Sequence, residues 1–156
     1  MKKQLFLLLI ILSTTTHLHA ATFTWLGTTS SDYNTASNWS GGGGGTIPDS
    51  ADHILISSSA TNNLVLDGNR KITNLTLSSK TIDLNGYSLT VYGTATMTSG
   101  TVTNGTFYAR GNLAAFNGTL MDCPVDADCG YIRFSGSTFN STVTATDQGV
   151  ATGTGA

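Results

Sequence analysis

Asp122, Asp126 and Asp128 fall within seven residues of one another, and the only two cysteines, Cys123 and Cys129, enclose the loop Pro-Val-Asp-Ala-Asp. Hard cations such as Ca²⁺ want several carboxylate and carbonyl oxygens, and a disulfide-closed loop would preorganise them. The spacing is not that of an EF-hand, which needs Asp-x-Asp-x-Asp-Gly and a distal Glu; the chain has no Glu. Aspartate also favours turns. These three are therefore read as solvated turn residues, and no metal or cofactor site is assigned. A Zn²⁺ site is excluded because four ligands are wanted and no His lies near the cysteines. His17 and His19 lie close to the start of the chain, which leaves His53 as the one candidate for a Ser-His-Asp triad. Nothing resembles the Gly-x-Ser-x-Gly elbow. Asp67, Asp83, Arg70, Lys71 and Lys80 could line one face of a polysaccharide-active enzyme, but each adjoins a turn. No catalytic residue is assigned and the chain is read as non-enzymatic. Trp25, Tyr33 and Trp39 are possible ligand-facing aromatics that could stack on sugar rings; core packing is the competing reading, since large aromatics are mostly buried.

The elements that would position these residues follow from the chain's order. Lys2 and Lys3 precede the apolar run Leu5 to Leu12, and a small residue, Ala20, ends the polar stretch after it. That order of charge, apolar core and small-residue exit reads as a secretory signal peptide over residues 1–20, cut between Ala20 and Ala21. The run is far shorter than the roughly 20 apolar residues of a membrane span, so no span is expected after cleavage. The chain is therefore expected to be secreted or extracellular. In that compartment two cysteines five residues apart read as one local disulfide, Cys123 to Cys129. Seven Lys and Arg stand against nine Asp; removing Lys2 and Lys3 leaves five against nine, a net charge of −4. Such a surface gives no electrostatic reason to bind nucleic acid.

Residues 21–52 carry the three aromatics and the run Gly41 to Gly45, and read as an N-terminal cap with a flexible loop. From His53 to residue 148, short segments place two apolar residues on one face: Ile54-Leu55-Ile56, Leu64-Val65-Leu66, Leu75-Thr76-Leu77, Ile82-Asp83-Leu84 and Leu89-Thr90-Val91. Weaker Thr-rich segments follow at Ala95–Met97, Thr101–Thr103, Thr106–Tyr108 and Tyr131–Phe134. Such brief strands predict an all-β fold: a short parallel β-solenoid, a right-handed β-helix of roughly 20 residues per rung. The alternative is an antiparallel β-sandwich, favoured if Asn85-Gly86 is a type I′ hairpin turn joining Ile82–Leu84 to Leu89–Val91. Phe-Asn-x-Thr recurs from Phe116 to Phe139 and suggests one rung, with Phe inside, Asn at the corner and Thr starting the next strand. Residues 149–156 read as a flexible end.

Thr24-Trp25-Leu26-Gly27, Asp32-Tyr33-Asn34, Ala36-Ser37-Asn38-Trp39-Ser40 and Ile47-Pro48 resemble the "W-x-G … N-W … P" opening of large secreted bacterial repeat proteins. These are autotransporter-like and adhesin-like surface proteins with β-helical bodies. Leu75 to Gly93 is similar to their rungs, and Gly136 to Val143 resembles their "G-x-T-F-N-x-x-V" repeat. Tyr33 stands where the family's segment usually has Trp. The resemblance implies a secreted or cell-surface structural or adhesive module, the N-terminal part of a larger repeat protein. Its partners would be glycans or cell-surface proteins. A carbohydrate-binding module is the alternative function. Five N-x-S/T sequons, at Asn38, Asn74, Asn104, Asn117 and Asn140, are expected to stay mostly bare in a bacterial source.

Overall fold

Threonine and β-branched residues fit a pleated, half-exposed surface, and here they form short strands that return to the same face every turn. The computed structural model describes residues 20–146 and 150–151. The expected signal peptide, apart from its last residue, and most of the expected C-terminal end lie outside them. The chain is a parallel β-solenoid of about five turns with about 19 residues per turn.

Each of five successive turns contributes one strand to each of three sheets, and the long sheet carries three strands more. The long sheet contains β1 (Thr22–Trp25), β2 (Trp39–Gly41), β3 (His53–Ile56), β6 (Asn74–Ser78), β9 (Thr94–Thr98), β12 (Leu113–Asn117), β15 (Ile132–Ser135) and β18 (Val150–Ala151). The second holds β4 (Leu64–Val65), β7 (Thr81–Asp83), β10 (Thr101–Thr103), β13 (Leu120–Asp122) and β16 (Thr138–Phe139). The third holds β5 (Arg70–Ile72), β8 (Ser88–Val91), β11 (Thr106–Ala109), β14 (Val125–Ala127) and β17 (Val143–Ala145). All neighbours are parallel except β2, which runs antiparallel to β1. The cap segment is thus continuous with the solenoid, since β1 pairs with β3 in register.

Asn85-Gly86 is a turn but not a hairpin. Both residues have positive φ, 51° and 83°, as a type I′ turn demands. The Tyr87 amide donates to the Leu84 carbonyl at 2.8 Å. Yet β7 and β8 belong to different sheets and pair only with the turns above and below. The left-handed pair turns a solenoid corner, which rules out the sandwich.

The Phe-Asn-x-Thr recurrence is not one rung either. Phe116 faces Phe134 in the long sheet, whereas Phe139 faces Met121 in the second. The rung at this point is 18 residues, Ala114 to Ile132 and Leu120 to Thr138. The 23-residue spacing therefore steps past one rung and around the next corner.

Inward residues stack in columns through the core. One runs Trp25, Ile56, Leu77, Met97, Phe116 and Phe134; another runs Phe23, Ile54, Leu75, Ala95, Ala114 and Ile132. Small and large residues share the same stretch of core: Ala109 and Ala114 are buried there with Phe107 and Phe116, whose rings meet edge to face with centroids 6.2 Å apart. Close packing of this kind makes core truncation costly. Phe116→Ala is expected to destabilise by about 3–5 kcal/mol. Thr96→Ala on the exposed face should change stability by less than about 0.5 kcal/mol. Equilibrium urea unfolding of both variants checks this; equal losses would contradict the assigned faces.

Candidate functional site

A short strand in register with its neighbours repeats its outward residues about every 4.8 Å across the sheet and about 6.6 Å along it. On the long sheet this builds a surface of hydroxyl and amide groups. Thr22, His53, Asn74, Thr94 and Leu113 form one outward column, and Tyr131 follows Leu113 at the next strand. Thr24, Leu55, Thr76, Thr96, Ala115 and Arg133 form the second. Between them lies an open groove of about 370 Å³, lined by Thr22, His53, Leu55, Asn74, Thr76 and neighbouring threonines above the buried Ile54 and Leu75. Among the described residues lining it there is no carboxylate, ammonium or guanidinium.

Asn74 organises this face. Its side-chain carbonyl accepts from the Thr94 amide at 2.6 Å, fixing the start of β9. Its amide nitrogen lies against the His53 imidazole, 3.1 Å from Nε2. His53 is thereby held in the row by an amide, and among the described residues no Ser or Asp side chain hydrogen-bonds its ring. The groove can offer donors and acceptors to a neutral, hydroxylated ligand. It offers no general acid–base pair.

The aromatics expected as ligand-facing are core residues. Trp25, Tyr33 and Trp39 are 1%, 1% and 6% exposed. Trp39 packs edge to face against Trp25 and Tyr33, with centroids 4.8 and 5.1 Å away. Their polar tips are satisfied internally: Trp25 Nε1 donates to Asn62 O, Trp39 Nε1 to Tyr33 O, and Tyr33 OH to Pro48 O. No ring face is left for a sugar. Arg70 covers Tyr33, its guanidinium 4.4 Å from the ring centroid and paired with Asp67. Burial pushes the Tyr33 phenol well above its ordinary value. Asn38, the Asn of one sequon, is likewise internal. It is 0% exposed; its Oδ1 accepts from the Thr29 and Ser30 amides, and its Nδ2 donates to Ser30 Oγ and Asp32 O. It cross-braces the loop before β2 and presents no amide to solvent.

The exposed aromatics are Tyr87, Tyr92 and Tyr131. Tyr131 opens a strand in the sequence, but the column joining it to Thr94 spans two turns and leaves no local signal.

The expected disulfide is absent: Cys123 and Cys129 are both free and buried. β14 lies between them and advances about 3.3 Å per residue, whereas a disulfide needs its Cα atoms roughly 4.4–6.8 Å apart. A strand, not a closed loop, therefore fills Pro-Val-Asp-Ala-Asp, and each cysteine sits at a different corner. Their aspartate neighbours also separate. Asp122 projects from the second sheet, within reach of Thr103 and Asn140. Asp126 projects from the third and pairs with Arg110 at 2.9 Å. Asp128 lies at the corner beyond β14. Among the described residues no three His, Cys, Asp or Glu side chains converge on one metal position. Of the charged residues considered for polysaccharide chemistry, Asp67 and Arg70 pair with each other beside Lys71, and the others lie apart. Asp83 lies on the second sheet, Lys71 on the third, and Lys80 at the corner between the first two.

Among the described residues no helix is long and apolar enough to cross a membrane. Comparison with protein-family models, with curated proteins and with solved structures finds no match to this chain.

Burial, aided by the neighbouring Asp122 charge, pushes the Cys123 thiol up to about 11, so thiolate is scarce at pH 8. The native protein is expected to react slowly with a thiol reagent and to release two titratable thiols on unfolding. A mass two hydrogens lighter, with no thiols after unfolding, would contradict the free-cysteine arrangement.

Proposed function

We propose that this chain is a non-enzymatic, exported structural or adhesive β-solenoid module whose long sheet is its contact surface. The observation that supports this is the registered outward face of that sheet: threonine hydroxyls at Thr22, Thr76, Thr94 and Thr96, with Asn74 and His53 between them. Hydroxyls and amides on a rigid backbone present hydrogen-bonding groups without ordering cost at the moment of contact. A neutral glycan of a cell surface is therefore the partner class this face favours over a charged one. Tyr131, 48% exposed and two strands along the column from Thr94, supplies the aromatic face that Trp25, Tyr33 and Trp39 do not.

Screening the exported protein on an array of neutral and acidic glycans tests the reading. Saturable binding to neutral glycans is expected, weakened at least about tenfold in Thr96→Arg and in Tyr131→Ala. Both variants should keep the wild-type melting temperature. Binding only to acidic glycans, or neutral-glycan binding indifferent to both substitutions, would refute it. Proteins of the cell surface as the sole partners would keep the adhesive role and remove the glycan.

A further inference from the structure

The start of β1 is fastened by groups that a single proteolytic cut would change. The Ala21 carbonyl accepts from the His53 amide at 2.8 Å, and the Ala21 nitrogen lies 2.9 Å from Asp52 Oδ1. Asp52 is one of the few buried polar side chains, 7% exposed. Its second oxygen accepts from the Asp49 amide at 2.8 Å, and its backbone carbonyl accepts from Thr73 one turn further on. Ala21 packs its methyl against the core, while Ala20, immediately before it, is exposed. A carboxylate held out of water by backbone donors alone gains most from a full positive charge at one of them.

We infer that cleavage between Ala20 and Ala21 creates an α-ammonium that Asp52 binds, so that the processed N-terminus locks itself onto the first turns of the solenoid. The inference rests on reading residues 1–20 as a signal peptide. In the cut, catalysed by a signal peptidase, water adds across the Ala20–Ala21 peptide bond. The C–N bond breaks, Ala20 leaves as a carboxylate, and the nitrogen takes both protons of the water to become the Ala21 ammonium. The nitrogen is already at hydrogen-bonding distance from Oδ1, so the ion pair forms without moving the strand. Ala20, being exposed, can leave without disturbing the core.

Two measurements test this. The protein exported from a bacterial host is sequenced from its N-terminus. The expected first residue is Ala21; a processed chain with any other first residue overturns the inference, and an unprocessed chain overturns the export reading with it. Then the chain beginning at Ala21 is prepared with a free and with an acetylated α-amine. Acetylation keeps the N–H donor and removes only the charge. It is expected to lower Tm by at least about 5 °C in the wild type and by much less in Asp52→Asn. An equal loss in both backgrounds overturns the ion pair. Should Asp52→Asn fail to fold, reductive methylation of the wild-type α-amine decides. It is expected to be several-fold slower in the native than in the urea-unfolded chain, and equal rates overturn the proposal.

Discussion

Four successive turns, from β6 onward, end their long-sheet strand with one residue in left-handed backbone conformation, and the stacking of these corners holds the strands between them in register. Ser79, Ser99, Gly118 and Gly136 occupy the position in successive turns, with φ of 55°, 55°, 58° and 58°. The amide of each of the first three donates to a carbonyl of the next turn: Ser79 to Thr98, Ser99 to Asn117, Gly118 to Ser135. Side chains pay a steric cost in this region, least for glycine and small polar residues. The column accordingly passes from Ser to Gly. A second corner repeats the device with Asn85 and Asn104, φ 51° and 58°. With the corners aligned, the strands between them meet in register, and their backbone groups pair with those of the adjacent turns. The rung also shortens along the chain, from 21 residues between His53 and Asn74 to 18 between Ala114 and Ile132. The loops absorb the difference, so the columns stay straight.

The same register produces both the core and the surface. Inward positions form continuous apolar columns in which large residues such as Phe107 and Phe116 and small ones such as Ala109 and Ala114 are all buried. Outward positions form equally continuous polar columns, which is how Thr76 and Thr96, twenty residues apart in sequence, come to lie side by side. At the first turn the buried rings of Phe23, Trp25, Tyr33 and Trp39 close the core, and Asp52 ties the incoming strand to the turns beyond it. The glycan reading and the N-terminal lock use different parts of one scaffold: the regular face of the long sheet and the irregular place where that sheet begins.

Much of this was legible in the residues. The five i, i+2 apolar pairs mark β3, β4, β6, β7 and β8 correctly, and Ile54, Leu75, Ile82 and Leu89 are all buried as that pattern requires. β12 escaped because Leu113-Ala114-Ala115-Phe116 carries little β-branched character, and only the register with β9 and β15 shows Ala114 to face inward and Ala115 outward. β5 escaped because Arg70-Lys71-Ile72 reads as a charged turn; its first side chain lies over Tyr33. Asn85-Gly86 signals positive φ faithfully, but local backbone conformation does not say whether the emerging strand pairs with its predecessor or moves to a new sheet. The cysteines failed for a related reason. Sequence proximity suggested a closed loop, while the hydrogen bonds of β14 to its neighbouring turns stretch the segment out. The outward face of the long sheet was least visible, since a column drawn from every turn has no local motif, and the large aromatics that draw the eye serve the core.

In-register parallel stacking is the claim on which the rest stands, and backbone amide contacts in solution test it most directly. Nuclear Overhauser contacts are expected across the long sheet between the Thr76 and Thr96 strands and between the Thr96 and Ala115 strands, with slow amide exchange along β6, β9 and β12. Contacts between residues 82–84 and 89–91, the signature of a hairpin at Asn85-Gly86, would contradict the account.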